Sequence, residues 1–230
     1  MIAAPRIGIL GGTFDPPHRG HLFVASEMLA RLSLDTVVLM PCHIHAENKQ
    51  PAASPRQRLA MLQRMLGDHP RLVVDGRELQ RQGRSYTVDS LTAIRRERGD
   101  QAVLCFILGS DAFTGLYRWH RWQSLLDLAN FVVVERAGEL PLQQLASPTL
   151  RPLLDAAVDS IETPAGAVMT VALPPCAVSS TALRQALQLP PSSPPSQLAA
   201  AENILQNDLS DAVRAYIRTH RLYPSPLESC

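Results

Sequence analysis

Six short runs of apolar, mostly β-branched residues recur along the chain, with helical patterns between several of them. The runs are Ile7 to Leu10, Thr36 to Met40, Leu72 to Asp75, Val103 to Leu108, Phe131 to Glu135 and Val168 to Leu173. Strands that are apolar along their whole length are typical of a parallel sheet covered by helices on both faces. The sequence therefore predicts an α/β fold built on a doubly wound parallel sheet.

The length of 230 residues suits one sizeable α/β domain and is short for two. We expect one domain over 1–223, with a Pro- and Ser-rich connection at 190–196 and a C-terminal helical segment at 197–223. The last residues, 224–230, are expected to form a flexible tail.

The charge of the chain is nearly balanced, with 22 Lys and Arg against 21 Asp and Glu. This balance predicts small-molecule partners and disfavours nucleic acid or an anionic membrane, while it leaves the oligomeric state open. The first residues lack a signal-peptide core, and no apolar run approaches transmembrane length. We therefore expect a cytoplasmic protein.

The four cysteines stand far apart in the sequence, at Cys42, Cys105, Cys176 and Cys230. This scatter gives neither a zinc pattern nor a disulfide framework. Cys105 lies within an apolar run, and we expect it to be a small buried hydrophobic residue.

A glycine-rich turn with two histidines follows the first predicted strand. It reads Gly11-Gly12-Thr13-Phe14-Asp15-Pro16-Pro17-His18-Arg19-Gly20-His21. Glycines let the backbone approach a ligand, and the following helix directs its free N–H groups and positive dipole end at the same place. His18 and His21 share one helical face, where they can stabilise charge on a leaving pyrophosphate. The turn predicts nucleotidyl transfer, whereas a turn required only for packing is the alternative.

A second candidate anion site follows the last predicted strand, at Val178-Ser179-Ser180-Thr181-Ala182-Leu183-Arg184. Ser180 or Thr181 can cap the helix that starts here, and Arg184 returns to the same end one turn later. Backbone N–H groups, hydroxyls and a guanidinium together can bind phosphate oxygens. The alternative is a plain helix cap beside a surface arginine.

Together the two motifs resemble the bacterial nicotinate-mononucleotide adenylyltransferases, within the nucleotidyltransferase superfamily that carries a His-x-Gly-His signature. The likeness spans almost the whole chain and includes Ser85 to Leu91, Gly109 to Phe113, Trp119 to Trp122, Glu135-Arg136 and Tyr216 to Tyr223. The sister pantetheine-phosphate and glycerol-phosphate nucleotidyltransferases share the phosphate motifs but not the Ser-Tyr-Thr and Trp-x-x-Trp elements. The resemblance implies a Rossmann-like fold and transfer of the AMP part of ATP to nicotinate mononucleotide.

The resemblance also implies roles for individual residues. The catalytic residues would be His18, His21 and Arg184, which hold the ATP phosphates. ATP would further contact Gly11, Gly12, Thr13, Phe14, Gly109, Asp111, Arg136, Ser180 and Thr181. Nicotinate mononucleotide would contact Ser85, Tyr86, Thr87, Trp119 and Lys49.

Some of these roles have a structural alternative. Asp111 would accept a hydrogen bond from the adenosine ribose, would be the N-cap residue of a helix, or would do both. Trp119 would stack on the pyridine ring, and one of Trp119 and Trp122 is expected to belong to the core. Thr87 can cap a helix and would meet the nicotinate carboxylate, while Arg136 would lie near the adenine.

The implied reaction needs no protein nucleophile, because the phosphate of the mononucleotide is already ionised at neutral pH. Mg²⁺ would be carried by the ATP phosphates and water, and no protein metal site is predicted. Two other functions stay open: transfer to another acceptor such as nicotinamide mononucleotide, and nucleotide sensing without catalysis.

One loop departs from the family pattern. Glu47-Asn48 stands where the family has a His-Lys pair, and Lys49 comes one position late, with His43 and His45 as possible substitutes. We expect this loop to tune substrate capture and to be dispensable for the chemical step.

Overall fold

Six parallel strands form one sheet in this computed structural model, which describes residues 4–42, 50–81, 84–136, 141–176 and 178–225. The strand order is β3-β2-β1-β4-β5-β6. The strands are β1 Arg6–Gly12, β2 Thr36–Pro41, β3 Leu72–Val74, β4 Val103–Gly109, β5 Asn130–Arg136 and β6 Val168–Leu173. Every predicted strand is confirmed, with ends that differ from the prediction by two residues or fewer.

Helices connect the strands and cover the sheet. They are α1 Arg19–Arg31, α2 Pro55–Leu66, α3 Thr87–Arg98, α4 Ser110–Thr114, α5 Gln123–Leu126, α6 Leu142–Leu145, α7 Arg151–Asp155, α8 Ser180–Leu187, α9 Pro195–Asp208 and α10 Asp211–Thr219. Two 3₁₀ turns lie at Arg77–Gln80 and Leu116–Arg118. In the described ranges, none of the helices combines the length and apolar character needed to cross a bilayer.

The two faces of the sheet bury separate apolar clusters. Leu10 belongs to a cluster shared with residues of α1, α2, α8 and α10, whereas its neighbour Ile9 belongs to one shared with α3, α4 and α5. Adjacent strand residues point to opposite faces, so both faces are covered and the predicted double winding is confirmed. The order in which the chain adds strands changes side between β1 and β4: β2 and β3 lie on one side of β1, and β4, β5 and β6 lie on the other. Doubly wound sheets bind ligands at the carboxyl ends of the strands at such a point.

The starts of α3 and α8 correct two predictions. Tyr86, not Thr87, is the N-cap residue of α3, because Tyr86 keeps an extended backbone and Thr87 already lies in the helix. Ser179, rather than Ser180 or Thr181, caps α8, since its Oγ accepts from the N–H of Ala182 at 3.1 Å. Each cap therefore lies one or two residues before the predicted position.

The C-terminal part also differs from the prediction. Pro195 and Ser196 form the first turn of α9, so the Pro-rich connection ends before them; a proline is well tolerated there because the first helical N–H needs no partner. Ser225 is 4% exposed, so packed chain extends into the expected tail, while 226–230 lie outside the described residues. The single domain over 1–223 stays a prediction.

Candidate active site

One cavity of about 760 Å³ opens at the carboxyl ends of β1, β2 and β4. It brings together predicted residues from both phosphate motifs and from the acceptor segments. Those in its wall are Gly11, Gly12, His18, His21, Ser85, Tyr86, Thr87, Gly109, Asp111, Trp119 and Ser180. Segments far apart in sequence therefore meet around a space that is within the usual size range of small-ligand sites.

The two histidines lie against each other at the start of α1. Their ring centroids are 3.8 Å apart, and His18 is 7% exposed. The backbone N–H of His18 donates to Nδ1 of His21 at 3.2 Å. Because Nδ1 accepts, the neutral ring of His21 carries its proton on Nε2, which can donate to a phosphate oxygen.

Gly20 is required by the packing between the histidines. A Cβ at this position would lie 2.8 Å from Cγ1 of Val178 and 3.0 Å from Nδ1 of His18. The first distance is shorter than side-chain contacts allow, and the second is tighter than most of them. The absence of a side chain lets the start of α1 approach the segment before α8, which brings the two phosphate motifs together.

Thr13 and Phe14 support the turn from outside the cavity wall. Phe14 is 1% exposed, adopts φ +52°, and places its ring 4.8 Å from that of His21. The carbonyl of Thr13 accepts from Nη1 of Arg58 at 2.8 Å. Both residues therefore shape the turn in this structure, and their contact with ATP stays a prediction.

Arg58 is a site-supporting residue that the sequence analysis missed. It is fully buried and also donates to the carbonyls of Cys42 at 2.7 Å and Ala53 at 3.3 Å. Burial lowers its pKa, and the nearby thiol of Cys42 and carboxylate of Asp15 oppose that shift. In the sequence Arg58 looks like a residue of the polar face of α2. The fold shows that its hydrogen bonds connect the chain just after β1 with the chain just after β2.

Arg184 lies beside the cavity rather than in its wall. Its Nη1 donates to the backbone carbonyl of Asp15 at 2.6 Å, and its Nη2 donates to Oγ1 of Thr181 at 3.2 Å. Ser180 binds the next carbonyl of the same turn, that of Pro16, at 2.9 Å. Arg184 and Ser180 thus join α8 to the histidine turn, and their contacts with phosphate stay predictions.

Gly109 and Asp111 form the wall at the end of β4. Gly109 is the N-cap residue of α4, and Asp111 lies in the first turn, so the alternative that Asp111 caps this helix is wrong. A Cβ on Gly109 would lie 2.6 Å from Oδ1 of Asp111. The glycine therefore lets the exposed carboxylate fold over the strand end, where it faces the cavity.

Aromatic side chains also belong to residues that line the cavity. Trp119 meets Phe106 edge to face, with ring centroids 6.1 Å apart. Tyr86 and His120 lie 4.5 Å apart by the same measure. Trp119 and Trp122 are both half-buried and both pack against the apolar cluster of this face, whereas Trp119 lines the cavity and Trp122 does not, so the expectation that one of the two belongs to the core stays a prediction.

Glu78 is a second residue missed by the sequence analysis. It lines the cavity and is 5% exposed, and its Oε1 accepts from Oγ of Ser90 at 2.6 Å. The hydroxyl of Ser90 in turn accepts from Nη1 of Arg81 at 2.8 Å. Burial raises the pKa of Glu78, although Ser90 and Arg81 act in the opposite direction.

Two predicted contacts concern residues of which the side chain is not described. Lys49 belongs to the loop at 43–49, which lies outside the described residues, so the predictions for this loop and for Lys49 remain open. The backbone of Arg136 ends β5 opposite Leu173. Among the described residues no group of three or more His, Cys, Asp or Glu side chains could hold a metal ion.

Comparison with known proteins identifies the family. The cytidylyltransferase-like family model matches residues 9–186. A probable nicotinate-nucleotide adenylyltransferase of Pseudomonas putida (strain W619) is 39% identical over 229 residues, covering 97% of each chain. One of Pseudomonas aeruginosa (strain UCBPP-PA14) is 38% identical over 227 residues, covering 96% of this chain and 98% of the relative.

A solved structure shows the same fold. Plasmodium falciparum nicotinic acid mononucleotide adenylyltransferase complexed with NaAD aligns with a TM-score of 0.71 at 16% identity, over 95% of this chain and 97% of that one. The predicted Rossmann-like fold and the family resemblance are both confirmed. The chain belongs to the cytidylyltransferase-like family and, within it, to the nicotinate-nucleotide adenylyltransferases.

Proposed function

We propose that this protein transfers the adenylyl group of ATP to nicotinate mononucleotide, giving nicotinate adenine dinucleotide (deamido-NAD) and pyrophosphate in NAD biosynthesis. The observation that carries the proposal is that residues of the histidine turn and of the aromatic acceptor segment line one and the same cavity. The names of the full-length relatives support the same reaction.

In the proposed mechanism, ATP lies with its triphosphate at the start of α1. A phosphate oxygen of nicotinate mononucleotide attacks the α-phosphorus, the new P–O bond forms, and the bond to the β-phosphate oxygen breaks. Nε2 of His21 donates to the departing pyrophosphate, while His18 and the N–H groups of α1 lie on the same side. The rate enhancement comes from positioning and charge stabilisation.

Arg184 can serve both the turn and the triphosphate. A guanidinium has five N–H donors, and the hydrogen bonds to Asp15 and Thr181 each use one. We therefore assign Arg184 to phosphate contact through the donors that remain, with Ser180 and Thr181 at the same helix end. The proposed adenosine contacts are Gly109, Asp111 and the backbone of Arg136.

The acceptor lies beside the aromatic residues in this proposal. Trp119 offers a flat face to the pyridine ring, which costs little entropy to order. Ser85, Tyr86 and Thr87 surround the start of α3, where N–H groups and the helix dipole favour a carboxylate. This arrangement supports preference for the acid over the amide.

A divalent metal accompanies ATP in nucleotidyl transfer, and we propose that it is Mg²⁺, bound as part of the MgATP substrate. Mg²⁺ prefers several waters and phosphate oxygens as ligands, a set that the triphosphate supplies. The described side chains offer no cluster of ligands that would compete for the ion.

Pyrophosphate release from ATP against two acceptors tests the proposal. We expect turnover with nicotinate mononucleotide and much slower turnover with nicotinamide mononucleotide. Equal rates would contradict the acid preference. Absence of turnover with both, combined with ATP binding, would indicate a nucleotide sensor instead.

A further inference from the structure

The carboxylate of Asp15 joins the histidine turn to two distant parts of the chain. Asp15 is 3% exposed. Its Oδ2 accepts from the N–H of Ala52 at 2.7 Å, and its Oδ1 accepts from the N–H of Ala53 at 3.0 Å. Oδ1 also accepts from the hydroxyl of Tyr223 at 2.7 Å, across 208 positions of sequence. Three donors thus hold one buried carboxylate.

Tyr223 is built into the core at this point. It is 4% exposed and belongs to the same apolar cluster as Phe14 and Ala53. Burial, together with the negative charge of Asp15, raises the pKa of Tyr223 far above its ordinary value. The hydroxyl therefore keeps its proton and acts as a donor to Asp15 throughout the pH range in which an enzyme works.

The backbone of the same turn is held from the other side by α8. The carbonyl of Asp15 accepts from Arg184 at 2.6 Å, and that of Pro16 accepts from Ser180 at 2.9 Å. His18 comes two residues after Pro16 and is the N-cap residue of α1. The segment that leads into the histidines is thus clamped between α8 and the C-terminal Tyr223.

We propose that Tyr223 is a positioning residue for adenylyl transfer, an inference that rests on the proposed function. Its hydroxyl orients the Asp15 carboxylate and, through the short turn, the rings of His18 and His21. Loss of one donor to a buried carboxylate lets the turn relax, and small displacements of reacting groups reduce rate more than binding.

The test compares Tyr223→Phe with the control Tyr216→Phe. Tyr216 lies on α10, where its ring contacts Arg64 and His220, away from the turn. We expect Tyr223→Phe to lower kcat about 10-fold, because alignment is lost, with KM for both substrates within about 2-fold of wild type. The control should keep wild-type kcat.

Ring signals of the histidines in NMR spectra give a readout that does not depend on turnover. In Tyr223→Phe the signals of His18 and His21 should shift, while that of His69 stays in place. Unchanged kcat together with unchanged signals would overturn the positioning role. A loss of kcat explained entirely by a lower unfolding midpoint would overturn it as well. Either result would leave the proposed function intact. If wild-type protein shows no turnover, the proposed function fails and the ring signals alone decide whether Tyr223 positions the histidines.

Discussion

Nδ1 of His21 accepts the backbone N–H of His18 at 3.2 Å, which is the hydrogen bond that a Glu or Gln makes at the third position of a capped helix. The same chain shows the ordinary version in α2, where Oε1 of Gln57 accepts from the N–H of Ser54 at 2.8 Å. His21 therefore caps α1 with one ring nitrogen and is also one of the residues that line the cavity. A residue with two such roles can be dissected by substitutions that keep one role and remove the other.

Gly20→Ala should lower kcat by about 10-fold or more, because the new methyl group would meet Val178 at 2.8 Å and push the histidines out of alignment. At an exposed position inside a helix, replacing glycine by alanine would instead raise the free energy of unfolding by about 1 kcal/mol. Steady-state kinetics and urea unfolding of the variant test both effects.

The double variant Gly20→Ala with Val178→Ala is the matched control for that experiment. It removes the Cγ1 atom that the methyl group would meet, so it should recover part of kcat relative to Gly20→Ala, with Val178→Ala as the reference. Equal kcat in the single and double variants would show that crowding against Val178 is not the cause.

Trp119→Ala should raise KM for nicotinate mononucleotide and leave KM for ATP near its wild-type value. The lost stacking is expected to cost about 1–3 kcal/mol, the range found for one nucleobase on an aromatic side chain. Trp122→Ala serves as the control, because both tryptophans pack against the same apolar cluster and, of the two, Trp119 alone lines the cavity. Trp122→Ala should lower the unfolding midpoint and leave both KM values near wild type. A rise in KM for nicotinate mononucleotide in Trp122→Ala but not in Trp119→Ala would assign the stacking role to Trp122.

Glu78→Gln should alter the pH dependence of folding stability. Burial raises the folded-state pKa of Glu78 above its unfolded value, so the native state binds the proton more tightly. The stability contributed by that proton is complete below the unfolded pKa of about 4.3 and is lost as pH rises through the folded pKa. The side chain of Gln does not titrate, so the stability of Glu78→Gln does not fall with pH for this reason.

Urea unfolding of wild type and Glu78→Gln from pH 4 to 8 measures the difference. The free energy of unfolding of the variant, relative to wild type, should rise with pH and then level off. Glu162→Gln, which removes an exposed carboxylate, controls for the change in net charge. A relative stability that stays constant or falls with pH would contradict the assignment.

The strands and the helix starts differ in how far the sequence could specify them. The apolar runs predicted all six strands. Burial on both faces requires such residues in the four central strands, and the edge strands β3 and β6 also carry short apolar runs. The cap of α8 was missed, since Ser179, Ser180 and Thr181 can all cap a helix locally. The choice is made by a contact across the fold, where Ser180 binds the carbonyl of Pro16.

The residues of the site also differ in how far the sequence could identify them. His18, His21 and Trp119 stand in recognisable motifs, and the fold places them around one cavity. Asp15, Arg58 and Tyr223 were not assigned site roles, because a buried charge is identified by its partners. One partner of the Asp15 carboxylate, Tyr223, lies 208 positions away, and no local pattern reveals such a pair.

The most direct test of the catalytic role of the histidine turn is the kcat of His21→Gln, measured together with the Kd for ATP. Gln at this position keeps the bond to the N–H of His18, as Gln57 does in α2, and removes the imidazole donor. His21→Ala removes both the capping hydrogen bond and the imidazole donor. Because the cap is lost, its free energy of unfolding should be lower by a further ~0.5–2 kcal/mol. We predict that His21→Gln lowers kcat about 10²-fold or more while folding stability and ATP affinity stay near wild type. A Kd for ATP that rises by this factor while kcat is retained would contradict the account and leave His21 as a binding residue only.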